Sequence, residues 1–208
     1  MTGSFRWEVM AGVARERVVA IVRTGEAAAA RQRCETLFAA GARVLEVSLT
    51  TPGALDVVAE LAAAAPDAVI GVGTVLDDTS ARLAALAGAA FVVTPTLDPR
   101  VIATAHRYGL CAIPGVASPS EAVAALDAGA DAVKLFPAVA LGVAGLAAIR
   151  EALPQVPFVP TGGVRIEDAD EWLAAGAVAL GMGGALSRLA ADNATQAAEF
   201  LRRLRLQS

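Results

Sequence analysis

One lysine, Lys134, stands against sixteen arginines in a chain of 208 residues. Arg stays protonated and is a poor nucleophile. A Lys amine that loses its proton in a desolvated site can attack a carbonyl, so a lone Lys in an Arg-rich chain points to a task Arg cannot do. It lies in DAVKLF, where alternation puts Val133 and Leu135 on one face and Lys134 on the other. Glu46 lies in VLEVS with the same pattern, Leu45 and Val47 opposite it. A lysine and a glutamate turned toward one interior can form a buried ion pair. Such pairs often cost more in desolvation than they return, so the alternative is weighed first: a Schiff-base lysine served by a proton-moving carboxylate.

Arg23, among apolar strand neighbours, suits a carboxylate as a bidentate donor or, alternatively, pairs with Glu46 alone. Thr74 and Thr161 can donate hydrogen bonds to an anion or a hydroxyl. Gly162-Gly163 and Gly183-Gly184 offer backbone N–H groups of the kind that hold a phosphate, although glycines also end strands for turn reasons. Cys111 and His106 read as core and helix-surface residues.

The elements that must position these groups follow from periodicity. Apolar runs rich in β-branched residues predict strands at 18–23, 44–48, 69–73, 91–94, 110–114, 132–136, 158–161 and 177–181. Helical segments fall near 26–40, 54–64, 79–88, 98–108, 119–128, 143–153, 167–175 and 193–204, with caps at Asp78 or Thr79, Asp98, Ser118 and Asn193. Gly-Ala pairs starting at Gly41, Gly88, Gly129 and Gly176 each close a helix before a strand, at steps of 47, 41 and 47 residues. Each step holds two βα units, so the repeat implies eight. The expectation is a single-domain (β/α)8 TIM barrel spanning 1–208, with an extra N-terminal helix near 5–14 and the site at the C-terminal strand ends. An open doubly wound sheet is the alternative, but no GxGxxG follows the first strand.

Composition excludes other classes. A net charge of −4 leaves no basic stripe for nucleic acid. No uncharged apolar run is long enough for a membrane span, and no signal-peptide core opens the chain. Two cysteines make no disulfide framework, and one histidine argues against multi-histidine zinc sites, so no metal or cofactor is expected and a cytoplasmic location is the default.

LEVSLTTP, GVGTVLD, VVTPTLDP, IPGVASPSEA, VKLFPA and FVPTGGV, in that order, resemble the class I aldolases that cleave 2-dehydro-3-deoxy-6-phosphogluconate and 4-hydroxy-2-oxoglutarate. The likeness runs from about Val18 to Leu189. It implies a metal-free, pyruvate-forming lyase of the Entner–Doudoroff type, acting on a 2-oxo acid and usually a homotrimer. By that resemblance Lys134 forms the imine and Glu46 is the acid–base. Thr74 and Arg23 hold the pyruvyl carboxylate, while Pro95 and Phe136 shape the pocket. Thr161 meets the aldehyde-derived portion, and Gly162, Gly163, Gly183 and Gly184 take the phosphate. Two positions depart from the pattern: Thr50 stands where many members carry Arg, and Gly184-Ala185 replaces a frequent Ser. Phosphogalactonate aldolases are near neighbours, but they tend to carry Val where this chain has Thr161. The rival readings are a sugar-phosphate epimerase, whose metal-dependent kind wants His and Asp ligands, and a non-catalytic phosphate-binding barrel. One helix-borne His argues against the first, and the second leaves inward Lys134 and Glu46 unexplained.

Overall fold

The computed structural model describes residues 5–206, in which parallel strands alternate with helices. One sheet holds β1 (Val18–Val22), β2 (Val44–Ser48), β3 (Val69–Gly73), β4 (Phe91–Val93), β5 (Cys111–Ile113) and β9 (Leu180–Met182), in the order β5-β4-β3-β2-β1-β9. A second holds β6 (Gly115–Val116), β7 (Val133–Leu135) and β8 (Phe158–Pro160), in the order β6-β7-β8. All pairings are parallel, as expected of strands that are apolar along their whole length.

The two sheets meet at both ends. β5 and β6 flank Pro114, which has no N–H for a ladder, so the single strand expected at 110–114 is split. The Pro114 carbonyl instead accepts from Lys134 N at 2.8 Å. At the other end Thr161 bridges Gly181 of β9.

Helices α2 (Ala27–Ala39), α3 (Ala54–Ala64), α4 (Asp78–Leu86), α5 (Pro99–Arg107), α6 (Pro119–Asp127), α7 (Ala138–Ala152) and α8 (Ala169–Ala174) follow their strands. The expected glycine repeat has a conformational cause: Gly41, Gly88, Gly129 and Gly176 all have left-handed φ between 83° and 95°, where a helix ends and the chain turns into the next strand. Asp98, Ser118 and Asn193 cap as expected, whereas α4 is capped by Asp77, which accepts from Ser80 N at 2.6 Å. Helix α7 starts five residues before its expected segment and is interrupted at Gly142, φ 69°. Helix α9 (Gly184–Asp192), ahead of α10 (Ala194–Arg205), was not foreseen, because its Gly-Gly start reads as a turn.

Strand alternation divides the apolar residues into two clusters. Leu45, Val47, Val133, Leu135 and their counterparts pack against the helices. Val19, Phe91, Val93, Cys111, Ile113 and Val159 form the inner cluster, with Val9 and Val13 of α1 (Arg6–Glu16) packed into it. Burying each such side chain contributes about 1.5–3 kcal/mol. Helix α1 therefore covers the inner cluster, and the polar inward positions lie toward the C-terminal strand ends. The expectation of helix near 5–14 is met by 6–16.

Candidate active site

Glu46 on β2 and Lys134 on β7 are 3% and 5% exposed, while their strand neighbours Leu45, Val47, Val133 and Leu135 pack against the helices. Alternation thus leaves both charged side chains on the face they were expected to occupy. Burial pushes the Glu46 carboxyl above the usual carboxylate range, opposed by the charges of Lys134 and Arg23. Burial likewise draws the Lys134 amine below the ordinary lysine range; Glu46 opposes this and Arg23 adds to it. Each group therefore feels the other. Yet among the described residues the two form neither a direct ion pair nor a hydrogen bond. The Lys134 Nζ instead lies 4.6 Å from the centroid of the Phe136 ring, whose face attracts a cation.

Glu46 is seated by Gly73 of β3. A β-carbon at position 73 would overlap the carboxylate and approach Glu46 Cγ to 2.7 Å. Arg23 is exposed just beyond β1, and its backbone carbonyl accepts from Arg33 Nη1 at 3.0 Å. It forms no direct ion pair with Glu46, so the simple pairing considered from sequence does not occur among the described residues. Its charge nevertheless reaches both buried groups.

Beside Glu46 lies a row of three hydroxyls. Ser48 Oγ is 2.9 Å from Thr50 Oγ1 and 2.8 Å from Thr74 Oγ1. Thr74 has φ 61°, in the left-handed region that a β-branched residue rarely enters. Ser48 was not foreseen. The available signal was its place two residues after Glu46, on the same strand face.

The remaining expected residues gather around the second sheet. The Phe136 ring lies against Gly162: a β-carbon there would come 3.0 Å from Phe136 Cε2. Gly162 and Gly163 both have φ 88°, and Gly163 passes so close to Val139 that a β-carbon would come 2.6 Å from Val139 Cβ. Thr161 is buried against Gly181, and its hydroxyl donates to the Val159 carbonyl at 3.2 Å. Its proton is thus committed to the backbone, unlike the free donor expected from sequence. Gly183 stands at the N-terminus of α9 and Gly184 is its first residue, with backbone N–H groups left over by the missing preceding turn. Ser187 is buried one turn further in. Pro95 is half-buried beyond β4, with its carbonyl close against Gly115.

Other titratable groups lie elsewhere. Burial pushes the Cys34 and Cys111 thiols up to about 12, which makes them inert. His106 is half-buried, and its Nε2 lies 3.0 Å from Asp131 Oδ2. No group of three His, Cys, Asp or Glu side chains among the described residues could hold a metal ion. No helix among them is long and apolar enough to cross a membrane.

A buried lysine beside a buried carboxylate, at the C-terminal ends of parallel strands, is an arrangement for carbonyl chemistry. The family model for KDPG and KHG aldolase matches residues 9–201. The chain belongs to that aldolase family. The matched stretch contains every strand and every candidate residue named above. The 2-dehydro-3-deoxy-phosphogluconate aldolase of Treponema pallidum (strain Nichols) is 37% identical over 161 residues, 77% of each chain. The 2-dehydro-3-deoxy-6-phosphogalactonate aldolase of Escherichia coli (strain K12) is 35% identical over 171 residues, 80% of this chain and 83% of its own. Among solved structures, the KDPG aldolase of Legionella pneumophila, with pyruvate captured at low pH as a covalent carbinolamine intermediate, superposes with a TM-score of 0.82. It is 32% identical and covers 94% of this chain and 97% of its own. Within the matched stretch, burial shifts both Lys134 and Glu46 toward their uncharged forms.

Proposed function

We propose that this chain is a class I aldolase that cleaves 2-dehydro-3-deoxy-6-phosphogluconate to pyruvate and glyceraldehyde 3-phosphate, and 4-hydroxy-2-oxoglutarate to pyruvate and glyoxylate. The observation that carries this reading is the burial of both Lys134 and Glu46, each within reach of the other's charge and with no direct ion pair between them. A lysine whose pKa is drawn down by burial holds more neutral amine at neutral pH. Its Nζ attacks the C2 carbonyl of the 2-oxo acid and the carbinolamine loses water. The C4 hydroxyl then gives up its proton as the C3–C4 bond breaks, and the iminium takes the electron pair as an enamine. Protonation at C3 followed by hydrolysis releases pyruvate and the free amine. Glu46 moves the protons of carbinolamine formation and dehydration, and the proton at the carbon next to the imine. The Phe136 face that attracts the ammonium also favours the iminium. Arg23 and Thr74 hold the carboxylate, with Pro95 shaping the pocket wall, and Thr161 offers hydroxyl lone pairs to the aldehyde-derived half.

The anion site is read at Gly162, Gly163, Gly183 and Gly184, brought together by the Thr161–Gly181 bridge. Relatives named for both the gluconate and the galactonate epimers share about the same identity with the chain, which keeps the C4 epimer as the second reading. On the architecture, the Pro114 junction and the Thr161 bridge support one closed (β/α)8 barrel domain over 1–208. Leu76, Leu83, Leu86 and Tyr108 are exposed apolar side chains on or beside α4 and α5, with Arg82 stacked 4.0 Å from the Tyr108 ring, and a homotrimer contact would cover them. A cytoplasmic enzyme completes the reading.

Incubation with pyruvate and borohydride tests it. One pyruvyl-derived mass is expected on the AVKLFP peptide, and Lys134→Arg should abolish both trapping and cleavage, since Arg cannot form the imine. Comparable cleavage by the Arg variant would end the proposal, and an untrapped wild type would return the chain to the epimerase or non-catalytic readings.

A further inference from the structure

Ser48 is fully buried at the end of β2, and its hydroxyl touches no substrate-facing surface of its own. It joins Thr50 Oγ1, 2.9 Å away, to Thr74 Oγ1, 2.8 Å away, and also accepts from Thr50 N at 3.4 Å. Ser48 pairs with Gly73 in the β2–β3 register, and Leu49 N donates to the Gly73 carbonyl at 2.8 Å, so the strand ends are fixed on both sides of the hydroxyl row. Thr74 is the first residue past β3 and takes a left-handed φ of 61°. Left-handed backbone at a β-branched residue persists only where surrounding contacts over-determine it, and such residues cluster at functional sites. The contact that Ser48 makes to Thr74 is a determinant of this kind, inside the wall that also seats Glu46 on Gly73.

We infer that Ser48 is a positioning residue of the aldolase site: it fixes the Thr74 hydroxyl and sets the direction in which that hydroxyl donates, with Thr50 as its anchor. The inference rests on the aldolase reading given above. A hydroxyl has one proton. With Thr50 donating to Ser48 and Ser48 donating to Thr74, the Thr74 proton is left over for an incoming carboxylate, and each bond in the row polarises the next. An anion at Thr74 selects this direction. Without Ser48, Thr74 loses both its rotamer partner and the donor that orients and polarises its hydroxyl. Thr50 thereby gains a task suited to a short hydroxyl side chain.

The test is the pyruvate concentration that half-saturates borohydride trapping at Lys134, together with kcat and KM for cleavage. Ser48→Ala is expected to raise the half-saturating concentration about tenfold, the size of one hydrogen bond to a charged acceptor, while trapping at saturating pyruvate still reaches one mass per chain. Thr74→Ala should do the same, and the Ser48→Ala/Thr74→Ala double variant should be no weaker than Thr74→Ala alone, because both act on one hydroxyl. Ser48→Ala within twofold of wild type, or effects that multiply in the double variant, would overturn the inference while leaving the aldolase reading intact. Thermal unfolding separates a folding defect: a variant with wild-type stability and raised half-saturation supports positioning, whereas loss of trapping in proportion to unfolded protein refutes it. Absence of trapping in the wild type would instead remove the aldolase reading itself.

Discussion

Glu46 rests directly on Gly73, with the glycine's missing side chain as its seat: any β-carbon at 73 would overlap the carboxylate. The carboxylate proposed as the acid–base group is therefore positioned by the backbone of β3 rather than by a partner side chain. Gly73→Ala is expected to push Glu46 off its position and lower kcat by about 10²–10⁴, the range for loss of a general acid–base group. KM should rise by a smaller factor than kcat falls, since Thr74, read as holding the carboxylate, is the next residue of the chain. Steady-state kinetics decides it, and a kcat within tenfold of wild type would mean that Glu46 finds an equally good rotamer.

The shifts of the buried pair fix the direction of two pH effects. Lys134 is held below the ordinary lysine range mainly by burial, with Glu46 opposing and Arg23 assisting. Glu46→Gln should therefore move the midpoint of the trapping–pH profile further down, and Arg23→Ala should move it up. Opposite movements, or none, would show that their charges do not reach the amine.

Stability carries the companion effect. The folded Glu46 carboxyl lies above its unfolded value, so the folded state binds this proton more tightly than the unfolded chain does. Its contribution is fully present below the ordinary carboxylate pKa and is lost as pH rises through the raised folded value. At neutral pH the buried carboxylate is thus a cost. Glu46→Gln is expected to be the more stable protein near pH 7, with the difference shrinking as the pH falls toward 4, as denaturant titrations at several pH values would read.

Gly163 offers no such latitude. Its left-handed φ of 88° and its packing on Val139 both exclude a side chain, so Gly163→Ala should deform the turn that presents backbone N–H groups. The expected result is a raised KM for the phosphorylated substrate with a smaller change for 4-hydroxy-2-oxoglutarate. Ala185→Ser, by contrast, adds a donor at the start of α9 and should lower KM for the phosphorylated substrate alone. Equal effects on both substrates would mean that the glycines serve the turn and not the anion.

At the far end of the strands, Asp131 accepts from Arg6 Nη1 at 2.7 Å and Ala112 N at 2.8 Å, and pairs with His106 Nε2 at 3.0 Å. It ties α1 to the inner cluster. Asp131→Ala strands a partly buried backbone N–H, at a cost of about 1–3 kcal/mol, and lowers Tm by about 2–10 °C. Activity at 25 °C should stay within twofold, since the site lies at the opposite strand ends. A parallel loss of kcat would contradict that separation.

Much of this protein was legible because its signals are local. Alternation is a property of one strand, so Leu45 and Val47 around Glu46, and Val133 and Leu135 around Lys134, fix which way those groups face without reference to anything else. The left-handed glycines at 41, 88, 129 and 176 announce helix ends for the same reason, since only their own φ is at issue. Distances across strands are a different matter. Lys134 and Glu46 stand on β7 and β2, in different sheets, and their separation depends on how the sheets curl and on the break at Pro114. Sequence could place both inside but could not show that Lys134 would lie over Phe136 rather than against the carboxylate. The same holds for Thr161, whose proton goes to the Val159 carbonyl, and for Ser48, whose worth comes entirely from Thr74, 26 residues on. A hydrogen bond is decided by tenths of an ångström between atoms far apart in the chain, and only the packed structure sets those.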